Sequence, residues 1–194
     1  MTSPYEGLST ERWLEKTRSL IAAHPIPTAD LAIAVKTAWD DIFRSRIGPA
    51  RIGREIEPQP QIMGFLLHEL IPIVVSGNRP GWHRGRGAEK DLHCEADPAF
   101  SIEIKTSSQR SIFANRSYAQ PVEGGRSKDG YYLAVNFEAF SRMRGSRPAI
   151  MRIRFGWLDQ TDWIGQRSQT GQQAHLAPNV EATKLIDITS ADEA

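Results

Sequence analysis

Hydrophobic spacing divides the chain into a helical first part and a second part rich in strands. Apolar residues recur at helical intervals in three stretches, at 10–23, at 28–45 and in "PQIMGFLLHELIPIVV", which starts near Pro58 or Pro60. Pro72 lies inside the third stretch and is expected to kink or end that helix. The pattern predicts a helical N-terminal part over about residues 8–76.

From about residue 77 to 190, the spacing changes to that of strands. Strands are predicted at "DLHC" and "FSIEIKT", which are joined by a turn at "EADPA", and at "YYLAVNF", "AIMRIRFGWL" and "TKLIDI". "SGNRPGWHRGRGAEK" and residues 107–130 are expected to be polar loops, and "DWIGQRSQTGQQAHL" a polar stretch with helical character. This order predicts a single α/β domain over residues 1–194, with a central mixed β-sheet flanked by helices.

Composition narrows the protein class. Hydrophobic residues make up 40% and charged residues 24%, as in soluble globular proteins. No apolar run is expected to reach the length of a membrane span, and no signal peptide is visible, so no membrane partner is expected. Cys94 is the single cysteine, which excludes an internal disulfide and favours the cytoplasm.

The net charge of +1 conceals an uneven distribution. Between Arg79 and Arg154 there are 14 Lys and Arg against 8 Asp and Glu. The rest of the chain has 10 Lys and Arg against 15 Asp and Glu. Eighteen of the basic residues are arginines, whose planar guanidinium suits phosphates and guanine edges. The pattern is compatible with a nucleic-acid partner, although an ordinary mixed surface would give the same composition.

The strand "FSIEIKTSS" combines a core face with a charged face. Because side chains alternate along a strand, Phe100, Ile102 and Ile104 share one face, and Glu103 and Lys105 share the other. Glu and Lys on a solvated sheet face are a common surface ion pair. The strand alone therefore does not decide whether Glu103 and Lys105 form a surface ion pair or a catalytic pair.

A second carboxylate favours the catalytic interpretation. Asp91 begins the preceding predicted strand, twelve residues before Glu103, so a hairpin can bring both acids and Lys105 to one point. Two close carboxylates repel each other unless a cation separates them, and hard oxygen ligands suit Mg²⁺. A lysine beside such a metal can orient or deprotonate a water, as phosphodiester hydrolysis requires.

Glu69 lies on the third predicted helix, on a stripe with Ile62, Phe65 and Leu66. A carboxylate beside an apolar face is costly unless it is paired or binds a metal, so Glu69 either meets solvent or reaches the Asp91 site. His68 adjoins it, but neighbouring helix residues point apart, and we assign His68 no role. No CxxC or HExxH pattern is present, and the histidines are not expected to form a metal cluster.

Longer blocks carry a family resemblance. "PQIMGFLLHELIP", "KDL", "FSIEIKTSS", "IFANRSYAQ", "GYYLAVNF" and "IRFGWLDQTDWIGQ…TGQQA" together resemble the ScaI-like family of type II restriction endonucleases, in the expected order and over nearly the whole chain. That family belongs to the PD-(D/E)xK nucleases, which have a central mixed β-sheet flanked by helices. The resemblance implies a homodimer that uses Mg²⁺ to cut both strands of a short palindromic duplex DNA site. A cognate DNA methyltransferase is expected in the same system, but not as a stable subunit.

The resemblance also assigns site residues by position. The catalytic set would be Asp91, Glu103, Lys105 and Glu69, the last as the additional helix acid of many such enzymes. The metal would be held by Asp91, Glu103 and the backbone carbonyl of Ile104. Lys90 stands where the nominal motif has proline, a departure that many members share.

Sequence-specific cleavage requires side chains that reach base edges, where Arg favours guanine and Asn or Gln favours adenine. Two segments, 115–120 and 166–175, are rich in these types. The expected DNA-contacting residues are Asn115, Arg116, Tyr118, Gln120, Arg167, Gln172 and Gln173, with Gln166, Gln169 and His175 in the same segments. Arg142, Arg144 and Arg147 are expected to contact phosphates. The alternative for each residue is a solvated polar surface.

Two other functions stay open at this point. A junction resolvase or repair nickase on the same scaffold would carry the same acids and lysine, but would cut branched or mismatched DNA. A non-catalytic DNA-binding module would keep Glu103 and Lys105 as a surface pair and would bind DNA without cutting it.

Overall fold

The computed structural model describes residues 3–120, 129–168 and 170–190. Its helices are α1 (Trp13–Ala22), α2 (Thr28–Arg44), α3 (Pro60–Asn78) and the short α4 (Pro178–Thr183). Single 3₁₀ turns occur at Thr10–Arg12, Pro98–Phe100, Arg116–Ala119, Phe140–Arg142 and Gln160–Asp162.

The strands follow the predicted order, with several short additions. They are β1 (Arg46–Ile47), β2 (Ala50–Arg51), β3 (Trp82–Arg84), β4 (Leu92–Cys94), β5 (Ile102–Ser107), β6 (Phe113–Asn115), β7 (Gly130–Phe137), β8 (Ile150–Leu158), β9 (Trp163–Gly165), β10 (Gln173–Leu176) and β11 (Leu185–Asp187). Among the described residues, six strands form a central sheet in the order β11-β8-β7-β5-β4-β3. β5 runs parallel to β7, and the other pairs in this sheet are antiparallel. The predicted α/β fold with a mixed sheet is confirmed.

Helices α1, α2 and α3 cover one face of this sheet. α1 and α2 pack against β8, and α3 packs against β3 and β5. A hydrophobic cluster joins helices and strands, and its fully buried members include Leu31, Val35, Leu67, Ile71, Ile102 and Ile104. The helical part and the sheet therefore share a core.

α3 corrects two expectations. It is long and apolar enough, by length and composition, to cross a membrane, whereas no apolar run was expected to approach that length. Here it is a core helix, since Met63, Leu67, Ile71 and Val75 are buried. It also continues through Pro72 to Asn78. The proline removes one backbone hydrogen bond, and the buried turns on both sides keep the helix in place.

The other face of the sheet is covered by a small sheet in the order β6-β10-β9 and by α4, around a second cluster that includes Ile112, Tyr132, Trp163, Leu176 and Leu185. This arrangement corrects three local predictions. The described part of residues 162–176 contains β9 and β10 rather than an α-helix, the segment 107–130 contains β6, and the basic loop contains β3. Strands of three or four residues are too short to show a clear alternation, and their partners are distant in sequence.

Candidate active site

Asp91 immediately precedes β4, at the end of the β3–β4 hairpin. The amide of Gly85 donates a 2.9 Å hydrogen bond to the carbonyl of Asp91 and closes the hairpin at this point. A Cβ on Gly85 would lie 1.8 Å from the carbonyl oxygen of Lys90, so the two backbone segments can approach this closely only with glycine here. The close approach fixes the position of the first acid.

The side chain of Asp91 is bonded to the next strand. In the described residues, pairing between β4 and β5 is confined to Leu92 and Ile102, and the amide of Ile104 instead donates a 2.7 Å hydrogen bond to Oδ2 of Asp91. The N–H and C=O of one strand residue point to the same side. The carbonyl of Ile104 therefore also faces the Asp91 side.

Glu103 and Lys105 form a buried pair. Nζ of Lys105 lies 2.6 Å from Oε1 of Glu103, whose side chain is 5% exposed. Ile102 and Ile104 on the opposite face lie in the core, as the alternation predicts. A pair this enclosed is not the solvated surface pair that the sequence left open.

Tyr118 completes this arrangement. Its hydroxyl donates a 2.5 Å hydrogen bond to Oε1 of Glu103, and Nζ of Lys105 lies 4.7 Å from the centre of its ring. Tyr118 is buried. The sequence predicted a DNA contact for Tyr118, whereas the fold places its hydroxyl against Glu103 and its ring beside Lys105.

The charges of this group reinforce one another. Burial raises the pKa of Asp91, but its hydrogen bond to His68, the positive charge of Lys105 and the Ile104 amide outweigh burial and lower the pKa to about 2. Burial alone would lower the pKa of Lys105, but the negative charge of Glu103, and after it that of Asp91, raises the pKa instead. Asp91 is therefore a carboxylate and Lys105 an ammonium at neutral pH.

α3 contributes two neighbouring side chains to a cleft of about 630 Å³ that Asp91 also lines. Nδ1 of His68 lies 3.6 Å from Oδ2 of Asp91, so the sequence missed a residue of this site. Glu69 accepts a 2.7 Å hydrogen bond from Arg84, which also lines the cleft. The two side chains reach different partners in the cleft, and His68, to which the sequence assigned no role, is the one that approaches Asp91.

The stripe beside Glu69 is not a core face. Ile62 and Phe65 are 52% and 58% exposed. The carboxylate of Glu69 is instead half-buried and held by the Arg84 guanidinium. Glu69 thus reaches the cleft of Asp91 through an ion pair rather than through hydrophobic burial.

The two segments expected to contact bases lie together. β6 pairs with β10, which sets Asn115 opposite Gln173 and Phe113 opposite His175. The amide of Arg116 donates a 2.7 Å hydrogen bond to the carbonyl of Gln172, and its guanidinium donates to the carbonyls of Ser168 and Gly171. Segments that are 50 residues apart in sequence therefore form one surface.

Individual side chains of this surface differ in availability. Gln120, Arg167, Gln172, Gln173 and His175 are exposed. Asn115 is exposed but accepts a hydrogen bond from the amide of Ser117, and Gln169 lies outside the described residues.

The three arginines expected to contact phosphates are exposed, and each already has a partner within the protein. Arg142 donates to the carbonyl of Ser108, and Arg147 pairs with Asp40 at 2.5 Å. Arg144 lies 3.7 Å from Glu138. Contact with a phosphate would require these side chains to leave or share their present partners.

Residues 3–189 match the family model described as ScaI restriction endonuclease. The chain belongs to the ScaI restriction endonuclease family. It is 48% identical over 191 residues to the type II restriction enzyme ScaI of Streptomyces caespitosus, and the match covers 96% of this chain and 84% of that enzyme. The resemblance drawn from the sequence blocks is confirmed, and with it the enzyme class, a type II restriction endonuclease.

The donor groups of this ScaI-family enzyme fit a hard divalent cation. The ionised carboxylate of Asp91, the carboxylate of Glu103 and the carbonyl of Ile104 are all oxygen donors, and β4 and β5 present them from adjacent positions. Mg²⁺ prefers such oxygens and is commonly held by one or two carboxylates. Tyr118 and Lys105 both contact Oε1 of Glu103, which fixes the orientation of that carboxylate.

The structure of this family member also corrects the expectation for the histidines. His83 and His93 lie opposite each other in the β3–β4 hairpin, and Glu89 from the connecting loop approaches both. One donor atom from each of the three lies within 4.8 Å of the others. Sequence spacing did not reveal the group because the pairing register of β3 and β4 creates it.

Proposed function

We propose that this enzyme is a Mg²⁺-dependent homodimer that hydrolyses both strands of a short palindromic site in duplex DNA. The observation that carries the proposal is the buried Glu103–Lys105 pair on β5, with Asp91 bonded to the same strand. Each chain contributes one such set, and two antiparallel DNA strands require two. A two-fold dimer on a palindrome meets that requirement.

The contacts support the following catalytic roles. Asp91, Glu103 and the carbonyl of Ile104 would hold the cation. Mg²⁺, when bound, supplies positive charge to the scissile phosphate. Tyr118 holds Glu103 in place by its 2.5 Å hydrogen bond, and it does so without carrying charge itself.

Lys105 is the group that positions or activates the attacking water. Its Nζ lies 2.6 Å from Oε1 of Glu103, the proposed metal ligand, so it stands beside the place where a cation would bind. An ammonium there also stabilises the charge that develops on the phosphate.

Glu69 and Arg84 line the same cleft as Asp91. The ion pair holds the Arg84 guanidinium at the mouth of the cleft, where a DNA phosphate would enter, and Glu69 is the additional acid of the site.

Recognition is assigned to the exposed residues of the β6–β10 surface, with Arg116 holding its two segments together. The proposed base-contacting residues are Asn115, Gln120, Arg167, Gln172 and Gln173. The DNA backbone is contacted by Arg142, Arg144 and Arg147. We further propose one domain over residues 1–194, a cytoplasmic location, and a cognate DNA methyltransferase that protects the host site without binding the nuclease stably.

Digestion of a supercoiled plasmid of known sequence in Mg²⁺, followed by mapping of the ends, tests the proposal. Discrete, reproducible fragments that share a palindrome are expected. Cleavage confined to branched or mismatched DNA would instead indicate a structure-specific nuclease, and a protein that sediments as a monomer and stays 1:1 on its mapped duplex would contradict the dimer.

A further inference from the structure

The β3–β4 hairpin carries a second cluster of metal-binding side chains, beyond the acids of the cleavage site. His83 and His93 are directly opposite in the antiparallel register, and their ring centres are 5.0 Å apart. One carboxylate oxygen of Glu89 lies 3.9 Å from Nδ1 of His83, and the other lies 3.9 Å from Nε2 of His93. The carboxylate thus faces both imidazoles.

Glu95 lies on the other side of His83, with its Oε1 3.8 Å from Nε2 of that ring, and it is not a member of the group. Two imidazoles and one carboxylate, with a further position for water, are a ligand set that zinc takes in proteins, whereas Mg²⁺ prefers a shell made of oxygens. The cluster therefore suits a different class of cation from the Asp91 site.

Neighbouring groups already orient two of the donors. The amide of Arg86 donates a 2.8 Å hydrogen bond to Glu89. Nδ1 of His93 lies 3.3 Å from Oγ of Ser101, and a contact of this kind at the remote ring nitrogen orients histidine ligands in metal sites. Nδ1 of His83, which faces Glu89, lies 2.8 Å from the carbonyl of Arg84, and a metal bound at this nitrogen takes the place of that contact.

The spacing requires the side chains to close inward. Zinc bound at about 2.1 Å in a tetrahedral site holds its ligand atoms about 3.4 Å apart. Each imidazole lies 3.9 Å from one oxygen of Glu89, and the three donor atoms lie within 4.8 Å of one another, so they must approach by about 1 Å. His83, Glu89 and His93 are partly exposed, so their side chains can close around an ion without repacking the core.

We propose that His83, Glu89 and His93, with water completing the shell, form a zinc-type transition-metal site that clamps the β3–β4 hairpin. β3 ends at Arg84 and β4 begins directly after Asp91, so both ends of the clamped hairpin reach the cleft. The bound ion stiffens the element that presents Asp91, and its role is structural.

Zinc binding to the full chain tests the site. The metal-free protein is titrated with Zn²⁺ by calorimetry in excess Ca²⁺, which occupies the oxygen site. One Zn²⁺ per chain is expected, and Co²⁺ should give the intense visible absorption of a tetrahedral complex. His93→Gln and Glu89→Gln should each weaken Zn²⁺ binding by roughly 100-fold or more, since removal of a ligand exceeds the loss of an outer partner.

Matched controls separate this site from others. Asp91→Asn and His175→Gln, the latter at an exposed histidine on β10, should bind Zn²⁺ as the wild type does. Zn²⁺ should also slow backbone hydrogen exchange of residues 82–94 in the wild type but not in Glu89→Gln. Glu89 lies in the connecting loop rather than in the core, so this variant is expected to fold.

Two results would overturn the proposal. One is a wild-type affinity for Zn²⁺ no higher than that of the His83→Gln/His93→Gln double variant. The other is loss of binding in Asp91→Asn equal to that in His93→Gln, which would place the zinc among the acids of the cleavage site.

Discussion

Oδ2 of Asp91 accepts a 2.7 Å hydrogen bond from the backbone amide of Ile104. This bond ties the acid at the end of one hairpin to the strand that carries Glu103 and Lys105. The relative position of the three side chains is therefore set by backbone geometry, with little dependence on the surrounding loops.

The first prediction separates the charge of Asp91 from its hydrogen bond. Asp91→Asn keeps an oxygen that can accept from Ile104, so the variant should unfold at nearly the wild-type temperature but should not cleave DNA. Asp91→Ala loses both functions and should be less stable by about 1 kcal/mol or more. Thermal unfolding and plasmid cleavage are the measurements. Near-normal cleavage by Asp91→Asn would exclude Asp91 as a metal ligand.

The second prediction concerns Tyr118. Tyr118→Phe removes the hydroxyl that orients Glu103 and keeps the ring over Lys105. Cleavage should slow by about tenfold, while the affinity for the cognate duplex in Ca²⁺ and the site preference stay unchanged. Single-turnover experiments measure the cleavage rate, and binding titrations measure the affinity for DNA. A changed site preference at a normal cleavage rate would instead show that Tyr118 takes part in recognition.

The third prediction compares the two kinds of DNA contact. Gln173→Ala should cost about 1–3 kcal/mol in discrimination at one position of the site. Arg142→Ala should weaken binding to all sequences and reduce the dependence of affinity on salt. Cleavage of a set of single-substituted sites at several salt concentrations measures both. If Gln173→Ala and Gln172→Ala leave site preference intact, the β6–β10 surface is not the one that contacts bases.

The fourth prediction is a pH dependence of stability caused by His24. Its Nδ1 accepts from the amide of Ile26 and its Nε2 contacts the carbonyl of Phe100, so the neutral ring is held in place. Burial, aided by the charge of Arg79, lowers its pKa in the folded state. The unfolded chain therefore takes up a proton near pH 6.5 that the folded chain resists.

The stabilisation from neutral His24 is complete above about pH 6.5 and is lost as the pH falls towards the folded-state pKa, by at most about 1.4 kcal/mol per pH unit. Urea unfolding between pH 7.5 and 5 measures the slope. His24→Phe should flatten it, and the exposed His175→Gln should not. An equal slope in His24→Phe and the wild type would assign the dependence to other groups.

Local patterns predicted the main features of the sheet and the two faces of β5. The alternation in "FSIEIKTSS" is a property of neighbouring residues, so it placed Ile102 and Ile104 in the core and Glu103 and Lys105 on the other face. The pattern did not show that this second face is buried, because Tyr118 covers it from a 3₁₀ turn after β6.

The features that sequence reasoning missed depend on distant pairing. His68 approaches Asp91 because α3 packs beside β5, and the His83–His93 group exists because β3 pairs with β4 in one register. β9 and β10 were mistaken for a helix because each has few residues and gains its stability from a neighbouring strand. Residue spacing within one segment carries none of this information.

The central claim is that Lys105 and Glu103 form a catalytic pair. Wild type and Lys105→Ala should be compared at equal concentration on one plasmid in Mg²⁺. Removal of Lys105 leaves the buried Glu103 without its cation and should lower stability by a few kcal/mol, so the comparison is made well below the unfolding temperature of the variant. Its fold is checked by circular dichroism and its binding to the cognate duplex in Ca²⁺.

Lys105→Ala is expected to fold, to bind its site and to cleave about 100- to 1,000-fold more slowly or worse, because the group that positions water and stabilises charge is gone. Comparable cleavage rates for the two proteins would show that the buried pair is only a structural ion pair.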